Sequence, residues 1–189
     1  MTEIISPSLS IIIGCMFSGK TTEIIKICKK WESINKKVMC INYKEDIRYG
    51  NDQHLYAHNG MKIKTINVLE FNEINMNDIK DVDVILINEA QFFKGLKEFC
   101  IKLVEEYKKH VIVSGLDGDF KREPFGEICQ LIPICDEVIK LTALCKICNN
   151  GTKAIFSKRI IEDKEYKVID IGGIEKYIPV CRKCYLSSI

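Results

Sequence analysis

The eight residues Gly14-Cys15-Met16-Phe17-Ser18-Gly19-Lys20-Thr21 constrain this chain more than any other stretch. They read G-x-x-x-x-G-K-T, a pattern in which two glycines let the backbone curl until its N–H groups converge on an anion. Lys20 then reaches the outer phosphates of a nucleoside triphosphate, and Thr21 offers its hydroxyl to Mg²⁺. Met16, Phe17, Ser18 and Thr22 belong to the same cradle. Its flanks fit. Leu9 to Ile13 form an apolar run like a buried parallel strand, ending at Gly14. From Thr21 to about Ile34 the residues Ile24, Ile27, Cys28 and Trp31 recur at helical spacing. A helix starting there turns its positive end to the anion.

The rest of the first 142 residues repeats this alternation. Strands are predicted at Val38–Ile41, around Ile63–Ile66, and at Val82–Ile87, Val111–Ser114 and Glu137–Leu141. Leu96, Phe99, Cys100, Leu103, Val104 and Tyr107 mark an amphipathic helix. The polar stretch from Tyr43 to Gly60 has no period and reads as a mobile connection. Alternating strands and helices imply an α/β fold, a parallel sheet flanked by helices, with ligands at the carboxyl ends of the strands. Past Leu144 the pattern changes to paired cysteines and a Gly-Gly turn. A boundary near residue 142 therefore divides a nucleotide-binding domain, 1–142, from a small domain, 143–189.

Four of the ten cysteines form two C-x-x-C pairs, Cys145/Cys148 and Cys181/Cys184. Four thiolates make a closed tetrahedral set for structural Zn²⁺, although reduced structural thiols remain the alternative. The 32 residues between the pairs exceed ordinary ribbon spacing, so an extra loop sits there. The other six thiols lie mostly in apolar stretches, as buried thiols do. No apolar run is long enough to span a bilayer, and the N-terminus does not read as a signal peptide, so a reducing, cytoplasmic setting is expected. With 28 basic against 26 acidic residues, nucleic acid is not the expected main partner.

A second acidic motif follows the strand Val84-Ile85-Leu86-Ile87, namely Asn88-Glu89-Ala90-Gln91-Phe92-Phe93. A carboxylate at a strand terminus can face the γ-phosphate and accept an alcohol proton. Taken alone, a surface carboxylate at a helix start is the lesser alternative for Glu89. The segments GCMFSGKTTE, NEAQFF, GLDGDFKREPFG, KLTALCKIC and GGIEKYIPVCRKCY bear on the choice, because they occur in the order found in cellular and poxviral thymidine kinases. The chain resembles that family from about residue 9 to residue 185.

The resemblance implies a P-loop NTPase-like domain followed by a zinc domain carrying a lasso loop, from about Arg159 to Tyr177. It implies phosphoryl transfer from ATP, with Mg²⁺, to the 5′-hydroxyl of thymidine. Glu89 would be the general base and Lys20 the catalytic cation, with Asn88 and Gln91 beside the bound ATP. Met16, Phe92, Leu116, Phe120 and Phe125 would form the slot for the thymine ring, although each alone suits an ordinary core position. Val168, Ile169, Asp170, Ile171 and Gly172 would bring lasso backbone to the base edge, and Tyr177 would pack on base or sugar. Asp46 and Arg48 would serve the sugar and phosphate side, and solvated loop charges are the alternative for both. The family is commonly tetrameric, so a homo-oligomer is implied. One departure stands out: the family usually has Asp where this chain has Asn88, and an amide brings no negative charge to a metal. Two other readings remain, a nucleoside-binding sensor of weak turnover and a zinc-ribbon ATPase that contacts nucleic acid.

Overall fold

In β1 (Ser8–Gly14) successive isoleucines face opposite ways, and this alternation organises the molecule. The computed structural model describes residues 6–46, 53–57, 60–161 and 175–187. After β1 come α1 (Lys20–Glu32), β2 (Val38–Tyr43), the short β3 (His54–Tyr56) and β4 (Lys62–Lys64), and β5 (Ile66–Val68). Next are α2 (Met76–Lys80), β6 (Val84–Asn88), α3 (Leu96–Ile101), β7 (His110–Gly115) and β8 (Glu137–Leu141). Six strands form one parallel sheet in the order β5-β2-β6-β7-β1-β8.

Because side chains alternate along a strand, each central strand feeds two cores. Ile11, Ile13, Ile41, Ile85, Ile87, Val111 and Val113 point to one face, beneath Ile79 of α2, Leu96 and Cys100 of α3, and Ile128 and Leu131 of a 3₁₀ segment, Ile128–Ile134. Ile12, Cys40, Val84, Leu86 and Ile112 point to the other, covered by Ile24, Ile25 and Cys28 of α1 and by Leu55 and Ile63 of the β3–β4 hairpin. Both faces are therefore dry, as a parallel sheet requires. Cys15, Cys28, Cys40 and Cys100 are buried, and Cys129 and Cys135 are partly so. Burial pushes the thiols of Cys28 and Cys100 up to about 12, as expected of inert packing groups.

Three expectations need correction. The strand predicted at Ile63–Ile66 is two strands: β4 pairs antiparallel with β3, and β5 joins β2 in the main sheet. The chain changes sheet at buried Thr65, whose N–H bonds to the Gln53 carbonyl. The connection from Tyr43 to Gly60 accordingly contains β3, while residues 47–52 and 58–59 lie outside the described residues. The helix predicted through Tyr107 is α-helical only to Ile101. It then widens into a π turn, Lys102–Glu106, in which the Tyr107 N–H reaches the Lys102 carbonyl. The wider turn keeps Leu103 fully buried while the Lys109 N–H closes on the Leu103 carbonyl and ends the helix.

The C-terminal segment forms two small antiparallel pairs, β9 (Ala143–Leu144) with β10 (Lys153–Ala154), and β11 (Phe156–Arg159) with β12 (Tyr177–Val180). The one-turn α4 (Arg182–Leu186) follows. Cys145, Ala154, Val180, Cys181 and Cys184 form a third, separate core. No helix among the described residues is long and apolar enough to cross a membrane.

Candidate active site

A parallel sheet brings the carboxyl ends of its strands to one edge, here Gly14, Tyr43, Asn88, Gly115 and Leu141. At Gly14 the backbone turns with φ 150°, and a Cβ there would collide with the Leu141 carbonyl oxygen, so the loop lies flush on the end of β8. Phe17 (φ 61°) and Gly19 (φ 89°) flank Ser18 in left-handed backbone, the kind of conformation that turns N–H groups into an anion-binding concavity. Lys20 is buried and donates to the Cys15 carbonyl at 2.9 Å, closing the loop on itself. The Ser18 hydroxyl is buried without a hydrogen-bond partner among the described residues, which suits a phosphate oxygen. Thr21 and Thr22 stand half-buried in the first turn of α1.

Across β7 from the loop, β6 ends at Asn88, and Glu89 follows in left-handed backbone (φ 52°, ψ 40°). For a non-glycine residue this costs on the order of 1–3 kcal/mol, and such strain collects at functional sites. Glu89 is buried, and Gln91 Nε2 donates to its Oε2 at 2.6 Å. The other end of the same amide, Gln91 Oε1, accepts from the Leu116 N–H at 2.9 Å. Gly126 (φ 61°) lies so close to the Gln91 backbone that a Cβ would strike its carbonyl oxygen. Gln91 is thus clamped between the Glu89 carboxylate and the loop following β7. Asn88 Nδ2 donates to Asn42 Oδ1 at 2.8 Å, a buried amide pair joining the ends of β6 and β2.

The residues expected to line a slot fall into two aromatic pairs. Phe92 meets Phe125 edge-on at 5.5 Å and stacks on Tyr43 at 5.0 Å, and Phe120 lies 6.4 Å from Tyr177. Leu116 is held through its N–H by Gln91, and Met16 is buried, its N–H bonded to Ser157 Oγ at 3.0 Å. Asp46 is half-buried, its N–H on the Tyr43 carbonyl. Arg48 and the lasso residues Val168, Ile169, Asp170, Ile171 and Gly172 lie outside the described residues. Sequence reasoning missed Asn42, Tyr43, Ser157 and Arg159, whose guanidinium lies 5.3 Å from the Phe120 ring. For Asn42 a signal existed, a polar residue closing an apolar strand as Asn88 does. The Ser157–Met16 pair spans 141 positions and has no local signature.

The four paired cysteines converge, with all four sulfurs within 4.8 Å of one another. Cys148 Sγ lies 3.2 Å from Cys184 Sγ and 3.6 Å from Cys181 Sγ. Sulfurs 2.3 Å from one tetrahedral ion would be about 3.8 Å apart, between the 3.2 Å of Cys148 and Cys184 and the 4.8 Å that bounds the cluster, so the spacing suits Zn²⁺. Burial raises the Cys145 thiol, but backbone groups at Cys148, Cys181 and Ile147 outweigh it and bring the thiol down to about 6. Beside its neighbours, with the Cys148 side chain the main cause, the Cys184 thiol is pushed up to about 12. Sulfurs this close resist sharing negative charge unless a cation sits among them, and soft thiolates select zinc-like ions.

Comparison with known proteins bears on the same residues. A family model described as "Thymidine kinase" matches residues 7–185. The thymidine kinase of Yaba monkey tumor virus (strain VR587) is 46% identical over 177 residues, covering 94% of this chain and 93% of that protein. That of Vaccinia virus (strain Western Reserve) is 41% identical over 180 residues, 95% of this chain and 97% of that protein. The Myxoma virus (strain Uriarra) thymidine kinase is 39% identical over 177 residues, covering 94% and 95%.

Proposed function

The chain belongs to the thymidine kinase family, and on that premise we propose that it transfers the γ-phosphoryl group of ATP to the 5′-hydroxyl of thymidine, giving thymidine monophosphate. The observation that carries this reading is a phosphate loop and a clamped, buried carboxylate on one sheet edge, separated by a single strand. Two neighbouring strands lie about 4.8 Å apart, so β1 and β6 end roughly 10 Å from each other, a span that a γ-phosphate and an acceptor hydroxyl can bridge.

In this mechanism the amides of Gly14–Thr21, apart from that of Met16 which bonds to Ser157, and the Lys20 ammonium hold the triphosphate, and the start of α1 faces its charge. Mg²⁺, held through the Thr21 hydroxyl with Asn88 nearby, would neutralise phosphate charge. Glu89 Oε1 or Oε2 takes the 5′-hydroxyl proton, and Gln91 keeps the carboxylate from rotating away. Met16, Phe92, Leu116, Phe120 and Phe125 surround the thymine ring, and Tyr177 closes on it. Backbone groups of Val168–Ile171 read the base edge, with Gly172 making the turn, while Asp46 and Arg48 serve the sugar and phosphate side. Residues 1–142 then hold the phosphates and the walls of the base slot, and 143–189 close over the nucleoside. Zinc on Cys145, Cys148, Cys181 and Cys184 would supply a cross-link anchoring both ends of the covering segment. Excluding water aligns the reactants and limits hydrolysis of ATP. A tetrameric assembly and a cytoplasmic location complete the reading.

Turnover of thymidine, deoxycytidine and deoxyuridine with ATP and Mg²⁺, in wild type and Glu89→Gln, tests it. We expect thymidine phosphorylation that falls by about 10²–10⁴ in the variant, the usual worth of a general base. Unchanged turnover in Glu89→Gln would remove Glu89 from the chemistry. One observation favours a second reading, a nucleoside-binding sensor: Asn88 is neutral, and its Nδ2 donation to Asn42 leaves only an uncharged amide oxygen to face a metal ion. Tight thymidine binding without turnover, rescued by Asn88→Asp, would select it.

A further inference from the structure

The loop carrying Phe120 is held to the sheet at its two stems, by the Leu116 N–H on Gln91, the Lys140–Asp117 ion pair at 2.6 Å and Phe125 on Phe92, whereas none of these contacts reaches its tip, residues 118–124. Between β7 and the 3₁₀ segment it makes one isolated bridge, Gly118 with Pro124, and Asp119 Oδ1 accepts from the N–H groups of Lys121 and Glu123. These contacts shape the tip, and residues 121–124 are exposed. What joins the tip to the body comes from the cysteine-bearing unit. The Tyr185 hydroxyl donates to the Phe120 carbonyl at 2.9 Å. The Arg122 guanidinium lies 4.5 Å over the Tyr185 ring and 5.8 Å from Phe156. Arg122 holds left-handed backbone (φ 72°), a conformation non-glycine residues keep only where contacts over-determine it. Tyr185 directly follows Cys184, and its N–H bonds to the Cys181 carbonyl, so the turn that carries two of the four sulfurs also carries this anchor.

We propose that Tyr185 and Arg122 are positioning residues that latch the Phe120 wall of the acceptor slot to the four-cysteine cluster, so that affinity for the nucleoside depends on an ion among the sulfurs. The inference rests on Phe120 lining the slot, as in the proposed function. Its physical content is simple. A one-turn helix has little stability alone, and fixing Cys181 and Cys184 to one ion fixes Tyr185. The Tyr185 hydroxyl and the Arg122 stack then hold the loop backbone at Phe120. The phosphate loop is reached by other groups, the Ala154 carbonyl of β10 and the Ser157 hydroxyl of β11, neither of which is hydrogen-bonded to Tyr185 or Arg122, so the latch acts on the acceptor rather than on ATP.

The test compares wild type, Tyr185→Phe, Arg122→Leu and Arg122→Lys, each zinc-loaded, by steady-state kinetics and by amide hydrogen exchange of the peptide spanning 117–124. Tyr185→Phe keeps the ring and loses only the hydroxyl. It should raise the KM for thymidine about fivefold, roughly what one net hydrogen bond is worth, with kcat and the KM for ATP unchanged. Loop exchange should quicken in Tyr185→Phe and Arg122→Leu, and Arg122→Lys should restore part of the protection. Chelation of wild-type protein should quicken it as well, with no further effect from Tyr185→Phe. Loop exchange and thymidine KM indifferent to both substitutions would overturn the latch, as would an equal rise in exchange at residues 9–20. If the protein binds and phosphorylates no nucleoside yet the loop loosens as described, the latch stands and the proposed function falls.

Discussion

The sheet and the cysteine unit contribute to one site, yet among the described residues the sheet buries twenty hydrophobic side chains in one core and eleven in the other. The unit around the sulfurs buries five, three of them cysteines. The sheet's rigidity therefore comes from apolar area withdrawn from water, at about 25 cal/mol per Å². The cysteine unit is smaller than chain segments that usually hold a fold by burial alone, and such segments need metals or other staples. On the proposed reading, a site built across both would have two kinds of stability, packing on the side of the sheet and a zinc cross-link on the side of the cysteines.

Metal removal should separate the two most sharply. Chelation, or Cys181→Ser, should disorder the cysteine unit, because structural zinc contributes on the order of 10 kcal/mol to folding such sites. Thymidine phosphorylation should then fall at least about a hundredfold. The sheet should still melt cooperatively, as followed by far-ultraviolet circular dichroism. Loss of all secondary structure in a single step on chelation would break the comparison.

The next largest effect belongs to the sheet. Leu86 is fully buried in the middle of β6, and Leu86→Ala should cost about 2–5 kcal/mol through lost burial and a residual cavity. Distant, independent sites add, so the cost read from denaturant melts should be the same with and without chelator. A cost that changes with the metal would mean that the sheet leans on the cysteine unit more than its core suggests.

Legibility in the sequence divides along the same line. The strand Val84–Asn88 and the helix Lys20–Glu32 were readable because their apolar spacing is the consequence of the burial that stabilises them. The four sulfurs were readable because metal geometry imposes C-x-x-C spacing. The change of sheet at Thr65 was not. Ile63 belongs under α1 and Ile66 lies at the sheet edge, yet in the sequence they sit three apart in one short strand-like stretch, Ile63-Lys64-Thr65-Ile66. Nor was the clamp on Glu89, since Gln91 gains its role only when the Leu116 N–H, 25 positions away, takes its other end. Contacts between remote loops are set by topology and leave no period to read.

A smaller effect tests where the two regions are stitched together. Ser157 of β11 accepts from the Met16 N–H, so one amide of the phosphate loop is satisfied by the cysteine unit. Ser157→Ala leaves that buried donor unpaired, at about 1–3 kcal/mol, whereas Ser157→Thr keeps the hydroxyl. The KM for ATP should rise about five- to tenfold in the alanine variant and stay near wild type in the threonine variant. Equal behaviour of the two would show that the phosphate loop holds its shape without the stitch.

The smallest effect uses pH, and its sign assigns it to the sheet. His110 begins β7, bonded to the Ser8 hydroxyl, with its ring 5.0 Å from Trp31. Burial lowers its pKa from 6.5, against the pull of Asp136 and Glu137 toward the charged form. The unfolded chain then takes up the proton at a higher pH than the native sheet does. The stability tied to a neutral His110 is complete above pH 6.5 and is lost as pH falls through the lower folded value. Thermal melting of metal-free protein, in which the sulfurs no longer link metal affinity to pH, should therefore show a midpoint that declines below pH 6.5. His110→Gln, uncharged throughout, should flatten that decline. A decline of the same size in the variant would move the titration to another group, and with it the claim that the sheet's own packing sets its response to acid.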